Sequence, residues 1–240
     1  MKKIYEINCD QKGSFIERPN RFIAKVKLDN GSLETVHVHD SGRIRELLFE
    51  GNRVNIKSAS NPNRKTKWDM ISALSDDGEE ILINSAYHRY ISENIIRDPE
   101  ISPFGKLDSL RAEVKYGKSR IDYMLTKNGE NIWVEVKGVS LSVDKMAMFP
   151  DAPSTRAQKH LKELMELLEK GDKAAVLLLI FRKSECFRPK WETDPVFSAL
   201  FYEAMERGVE IYPVQLELKD GNINYKGLLP IEERNERKPV

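Results

Sequence analysis

Three stretches of the chain carry carboxylates where an extended strand would ordinarily be apolar. In Ile132-Trp133-Val134-Glu135-Val136-Lys137 a two-residue period sends Ile132, Val134 and Val136 to one face and Trp133, Glu135 and Lys137 to the other. Residues 119–126 form a second such run, and Asn128-Gly129 between the two suits a tight hairpin, so Asp122 faces Glu135 across the pair. A third run, 111–116, carries Glu113 and ends at Gly117, which brings another carboxylate within reach. Carboxylate oxygens are ligands for a hard divalent ion such as Mg²⁺ or Mn²⁺, which takes one or two of them and fills its shell with water and phosphate oxygens. Lys137, about 6.5–7 Å along the strand from Glu135, is placed to position an attacking water or to neutralise charge on a phosphorane. Without a cation such clustered carboxylates repel. An exposed strand alternating Glu and Lys is also a common solvent face, and it is Asp122 on the neighbouring strand that tips the reading toward chemistry.

The surrounding pattern predicts the elements that hold these residues. A helix over residues 86–97 ends at Asp98-Pro99. After the three acidic strands and a linker over 139–154, an amphipathic helix over 155–170 turns Leu161, Leu164, Leu167 and Leu168 inward. Residues 173–181 (KAAVLLLIF) read as a central strand buried on both faces, followed by a helix over 195–208 and a strand over 209–218. This order describes an α/β domain with a mixed sheet. The front of the chain reads as five short strands, over 21–28, 33–39, 53–58, 67–74 and 80–83, with a short helix over 42–49. In the first strand Phe22, Ala24, Val26 and Leu28 face inward, with Arg21 among the residues opposite. Such a set suggests a small Greek-key barrel of the oligonucleotide-binding (OB) type. The expected domains are therefore 1–84 and 85–240.

Bulk charge is nearly balanced, 39 Lys+Arg against 38 Asp+Glu, so composition alone does not mark a nucleic-acid binder. The distribution is uneven: residues 1–70 hold 14 basic and 9 acidic side chains. Within them, Arg64, Lys65 and Lys67 precede Trp68, joining cations that track phosphates to a ring that can stack on a base. His37 and His39 share a strand face, yet with only Asp40 nearby they read as ordinary strand histidines, and Asp40-Ser41-Gly42 as turn and capping residues. Cys9 and Cys186 have neither disulfide-framework nor zinc-site spacing. With no apolar run of spanning length and no signal-like amino terminus, a cytoplasmic protein is expected.

Longer motifs carry a resemblance. Asp122 followed by Glu135-Val136-Lys137 resembles the PD-(D/E)xK nuclease pattern. The runs 113–125, 134–139, 149–152 and 158–164, with Asn20-Arg21-Phe22, His37, Asp40-x-Gly42-Arg43 and Arg64-x-Thr66-x-x-Trp68, resemble the sugar fermentation stimulation protein A (SfsA) family over nearly the whole chain. That resemblance implies an OB-like domain followed by a restriction-endonuclease-like one, in proteins that bind DNA without marked sequence preference and are linked to sugar-utilisation genes. By position it implies a metal site of Glu113, Asp122 and Glu135, Lys137 as the catalytic lysine, and Arg120, Arg156, Lys159 and His160 as phosphate-facing supporters. Gly138 stands where relatives often have Ser, and Ala152-Pro153-Ser154 where they often have Ala-Val-Thr. A metal-dependent nuclease and a non-enzymatic DNA-binding regulator both remain open, as do DNA versus RNA and a homodimer versus a monomer.

Overall fold

The computed structural model describes residues 1–40, 42, 44–61 and 63–234. Ser41 and Arg43, read above as part of a turn and helix start, and Pro62 of the basic loop lie outside the described residues. The chain forms two compact units. One holds Met1–Ile95 and Leu216–Lys226, the other Ile96–Gln215 and the chain from Gly227. Both are therefore discontinuous in sequence, where the sequence suggested a single cut after residue 84.

The first unit is built on β1 (Lys2–Glu6), β2 (Gln11–Asn20), β3 (Ile23–Leu28), β4 (Leu33–His37), β5 (Arg53–Ser58), β6 (Trp68–Leu74) and β7 (Glu80–Leu82), followed by α1 (His88–Arg97). Antiparallel pairs β2–β3, β3–β4, β2–β5 and β5–β6 are closed by a parallel β4–β6 bridge, giving a five-stranded barrel without a free edge. Ala24, Val26, Val54 and Ile56 are buried, as period-2 alternation in β3 and β5 requires, while in β6 Met70 to Ala73 are buried in succession. Gly13 is where β2 must be bare: a Cβ there would lie 2.6 Å from the Lys27 carbonyl oxygen and 2.7 Å from a Val26 methyl. The expected helix over 42–49 is replaced, among its described residues, by turns over 45–47. Only a single turn forms, with Leu48 N–H donating to the Ile44 carbonyl (2.8 Å); the Asn52 amide donates to the Leu47 carbonyl (2.6 Å), and Ile44 and Leu47 are buried. Eight residues are too few for helix propensity to resist such packing.

The second unit contains β8 (Ser109–Tyr116), β9 (Ser119–Lys127), β10 (Glu130–Val139), β11 (Leu141–Val143), β12 (Met146–Phe149), α2 (Thr155–Glu169), β13 (Lys173–Ile180), β14 (Cys186–Pro189) and α3 (Pro195–Arg207). It also takes the start of β15 (Glu210–Lys219), and β16 (Asn222–Leu228) follows. β8, β9 and β10 are antiparallel, and β10, β13 and β15 are parallel, so the sheet is mixed as expected. Trp133, Val176 and Leu178 of the sheet share one core with Leu161 and Leu164 of α2 and Phe197 and Phe201 of α3. Burying each of these is worth roughly 1.5–3 kcal/mol. Asp194 ties the two helices together. Its carboxylate caps α3 through Phe197 N (2.9 Å) and also takes Ser154 N (2.9 Å) and the Gln158 amide (2.9 and 3.0 Å) at the start of α2.

The stretch expected to be a linker is partly strand. β11 and β12 pair around Asp144-Lys145, both at positive φ, and β14 extends them into a second sheet. The turn has the two-residue hairpin conformation without the Asn or Gly that would have announced it.

Candidate active site

The ladder between β9 and β10 runs from Lys127↔Glu130 to Tyr123↔Val134 and then stops. The next opposed pair would be Asp122 and Glu135. Instead the Val136 N–H donates to Asp122 Oδ2 at 2.7 Å, so a side-chain carboxylate takes the place of a backbone carbonyl where the strands part. Burial, with Glu135 and Glu113 nearby, pushes Asp122 up to about 6 against the pull of the Val136 N–H and Lys137.

Glu135 is 2% exposed. Its Oε1 accepts hydrogen bonds from both Lys137 Nζ and His160 Nδ1, whereas its buried Oε2 has no partner. Burial pushes Glu135 up, but the His160 bond and the Lys137 charge outweigh it and hold the carboxyl below its usual range. An ionised carboxylate only accepts, so Nδ1 of His160 carries a proton and the Lys137 ammonium, 3.5 Å from that nitrogen, is its neighbour rather than its donor. A small cavity beside the cluster is lined by Glu135, Lys137 and His160 and by Leu161, Leu164 and Phe197.

His160 corrects one expectation. It is buried, 4% exposed, so it faces Glu135 and not solvent phosphate. It lies on the apolar stripe of α2 with Ala157, Leu161 and Leu164, all buried. A helical wheel of α2 carries that signal.

Glu113 stands opposite Asp122 on β8, between the pairs Ala112↔Tyr123 and Val114↔Ile121. Its φ of +55° is a left-handed conformation that costs a non-glycine residue roughly 1–2 kcal/mol. Its carboxylate lies 3.7 Å from Arg120, and both side chains are well exposed. Among the described residues no three His, Cys, Asp or Glu side chains are close enough together to hold a metal. Asp122 has both Glu135 and Glu113 near it, and Glu113 is also paired with Arg120. Lys159 donates to Ser119 at 2.7 Å, beside Arg120 in the chain, and Arg156 is exposed on the first turn of α2.

On the barrel, Arg21, Lys65 and Lys67 are exposed and Trp68 is half-buried at the start of β6. Arg64 is engaged: its guanidinium grips both oxygens of Asp69 (2.7 and 3.1 Å), and His39 Nε2 lies 3.0 Å from Asp69 Oδ1. Burial raises Asp69, but Arg64 and His39 more than reverse that and hold it low.

Two family models match the chain. Residues 16–83 match the SfsA N-terminal OB domain and residues 84–222 the sugar fermentation stimulation protein RE domain. The chain belongs to the SfsA family. Sugar fermentation stimulation protein homologs from Methanococcoides burtonii and Thermosipho melanesiensis are 41% and 43% identical to it. These alignments cover 95% and 94% of this chain and 94% and 96% of theirs. The solved structure of Pyrococcus furiosus SfsA in complex with Ca²⁺ superposes with a TM-score of 0.86 at 29% identity, covering 97% of this chain and 100% of that one. An OB barrel and a restriction-endonuclease-like α/β domain are thus the architecture of this SfsA family member. Among the described residues no helix is long and apolar enough to cross a membrane.

Proposed function

We propose that this SfsA family member binds DNA and hydrolyses phosphodiester bonds with a Mg²⁺ or Mn²⁺ ion held by Asp122 and Glu135. The observation that carries this is the meeting of Asp122, Glu135 and Lys137 where β9 and β10 part, with Glu135 Oε2 buried and unpartnered. A buried carboxylate oxygen without a donor is costly unless something else binds it. Two carboxylates fit the protein's share of a Mg²⁺ shell. The Pyrococcus furiosus relative is itself described in complex with Ca²⁺, another hard, oxygen-preferring cation.

When bound, such an ion supplies Lewis-acid stabilisation and lowers the pKa of a coordinated water. The protein's residues do the rest. His160 holds Glu135 in one orientation from the far side. Lys137, hydrogen-bonded to the same carboxylate, places its ammonium where an attacking water or a charged phosphate oxygen would sit. Arg120, Arg156 and Lys159 supply cations for the flanking phosphates, and Glu113 joins the acidic set only by leaving Arg120. On the barrel, Arg21, Lys65 and Lys67 contribute sequence-independent affinity, with Arg64 and Trp68 shaping the loop. A cytoplasmic location, where nucleic acid is at hand and Cys9 and Cys186 remain thiols, belongs to the same proposal.

One observation favours a second reading. With Oε1 of Glu135 neutralised by Lys137 and His160, and Glu113 directed at Arg120, the same centre can serve a non-enzymatic binder that grips phosphate. A cleavage assay on plasmid and single-stranded circular DNA, and on RNA, in Mg²⁺ or Mn²⁺ and in EDTA decides between them. Asp122→Ala and Lys137→Ala are each expected to lower the cleavage rate by about a hundredfold or more. Cleavage that survives both substitutions would remove this site from the reaction; binding without cleavage in the wild type would select the second reading.

A further inference from the structure

Arg21 and Phe22 form the two-residue tip of the β2–β3 hairpin, closed by the pair Asn20↔Ile23. The alternation of Ala24, Val26 and Leu28 would send Phe22 inward, but at the turn it is 53% exposed. The tip is held firmly. Asn20 Oδ1 accepts the Phe22 N–H at 2.9 Å, the Phe22 carbonyl accepts Val38 N–H at 2.8 Å, and the Arg18 guanidinium donates to the carbonyls of Arg21, Asp40 and Gly42 at 2.5–2.7 Å.

The Phe22 ring has an aromatic neighbour. His37 stacks on it at 6.4 Å and 12°, and His39 packs edge-on against His37 at 4.4 Å and 87°. His39 is in turn anchored on Asp69 and thereby on Arg64. Burial, with His39 and Arg64 nearby, pushes His37 down, so its ring stays neutral at physiological pH. The ridge has exposed cations at both ends: Arg21 at the tip, and Lys65 and Lys67 in the loop that leads into β6. The bridge Val36↔Trp68, His37↔Asp69 sets that loop beside the histidines. A half-exposed aromatic ring on a hydrogen-bonded turn, with cations on either side, matches a nucleobase and its neighbouring phosphates.

We infer that Phe22, backed by His37, is a base-stacking platform for single-stranded nucleic acid, with Arg21, Lys65 and Lys67 receiving the phosphates. This rests on the nucleic-acid binding proposed above and adds strandedness to it. Bases inside a duplex are already stacked on one another and cannot lie on Phe22 without a step being unstacked or a base flipped out, whereas a single strand offers its bases freely.

The test is fluorescence anisotropy of the full-length protein in EDTA, with an oligo-dT of about 15 nucleotides and a duplex of the same length. Phe22→Ala is expected to weaken oligo-dT binding about tenfold while duplex affinity stays within about twofold and the salt dependence is unchanged. Phe22→Tyr is expected to bind like the wild type, and circular dichroism melts of both variants to match it. The platform is overturned if Phe22→Ala binds oligo-dT as tightly as the wild type, if it weakens both substrates equally, or if the tyrosine variant fails as the alanine one does. Wild-type protein that binds neither substrate overturns the nucleic-acid reading itself and the platform with it, a result distinct from failure of the ridge alone.

Discussion

Each unit places a carboxylate between a histidine and a cation, and the two arrangements differ in what they leave unsatisfied. In the barrel, Asp69 takes His39 and one arm of Arg64 on Oδ1 and the other arm on Oδ2, so both oxygens are used. In the α/β unit, His160 and Lys137 both bond to Oε1 of Glu135, and Oε2 has no partner. A guanidinium is a planar fork that matches both oxygens of a carboxylate, whereas an ammonium is a point charge that neutralises it from one side. The difference teaches that Arg closes a carboxylate and Lys leaves it open to a further ligand. The first cluster is a closed brace, and the second keeps one carboxylate oxygen without a partner.

The sharpest way to break this contrast is to put the fork where the point charge is. Lys137→Arg keeps the charge but lets both Glu135 oxygens be taken, so cleavage should fall by about a hundredfold. Mn²⁺ affinity, followed by calorimetry, should fall with it; unchanged affinity would show that the open oxygen is not the metal's. Asp69→Ala strips the brace and leaves Arg64 and His39 without their acceptor. Because the pair is only partly buried, the loss should lie between that of exposed and buried ion pairs, about 2 kcal/mol by denaturant melts, with cleavage chemistry intact.

The smallest effect concerns pH, and there the two regions should have opposite signs. Asp69 is held below its unfolded value, so its contribution is present above about pH 4 and is lost as pH falls through the folded pKa. Asp122 is raised to about 6, so its favourable protonated state is complete below about pH 4 and is lost as pH rises through 6. In EDTA, Asp122→Asn should therefore stabilise the protein by about 1–2 kcal/mol at pH 8 and by nothing near pH 4. A gain that does not change with pH would mean that the carboxylate's ionisation is not its source.

Much of this was legible in the residues. The leucine stripe of α2, the apolar run of β13 and the Asn128-Gly129 hairpin all follow from local pattern, and the observed spans lie close to those expected. β2 was not legible, because Gly13, Pro19 and two register shifts against β3 interrupt its alternation. β1 and β16 are short strands of mixed burial that pair with each other from opposite ends of the chain, a contact no local window contains. At the site, period-2 alternation placed Glu135 and Lys137 on one face, where they hydrogen-bond. It could not foresee the positive φ at Glu113, whose carboxylate lies 3.7 Å from Arg120, or, being a strand rule, that His160 would be buried on α2.

The cap on α3 has a wider reach than its own helix. Since Asp194 also fastens Ser154 and Gln158, the rotational setting of α2, and with it the angle at which the imidazole of residue 160 meets its acid, is inherited from a side chain thirty-four positions downstream. Through that chain of hydrogen bonds a side chain outside the Glu135 cluster fixes the geometry within it.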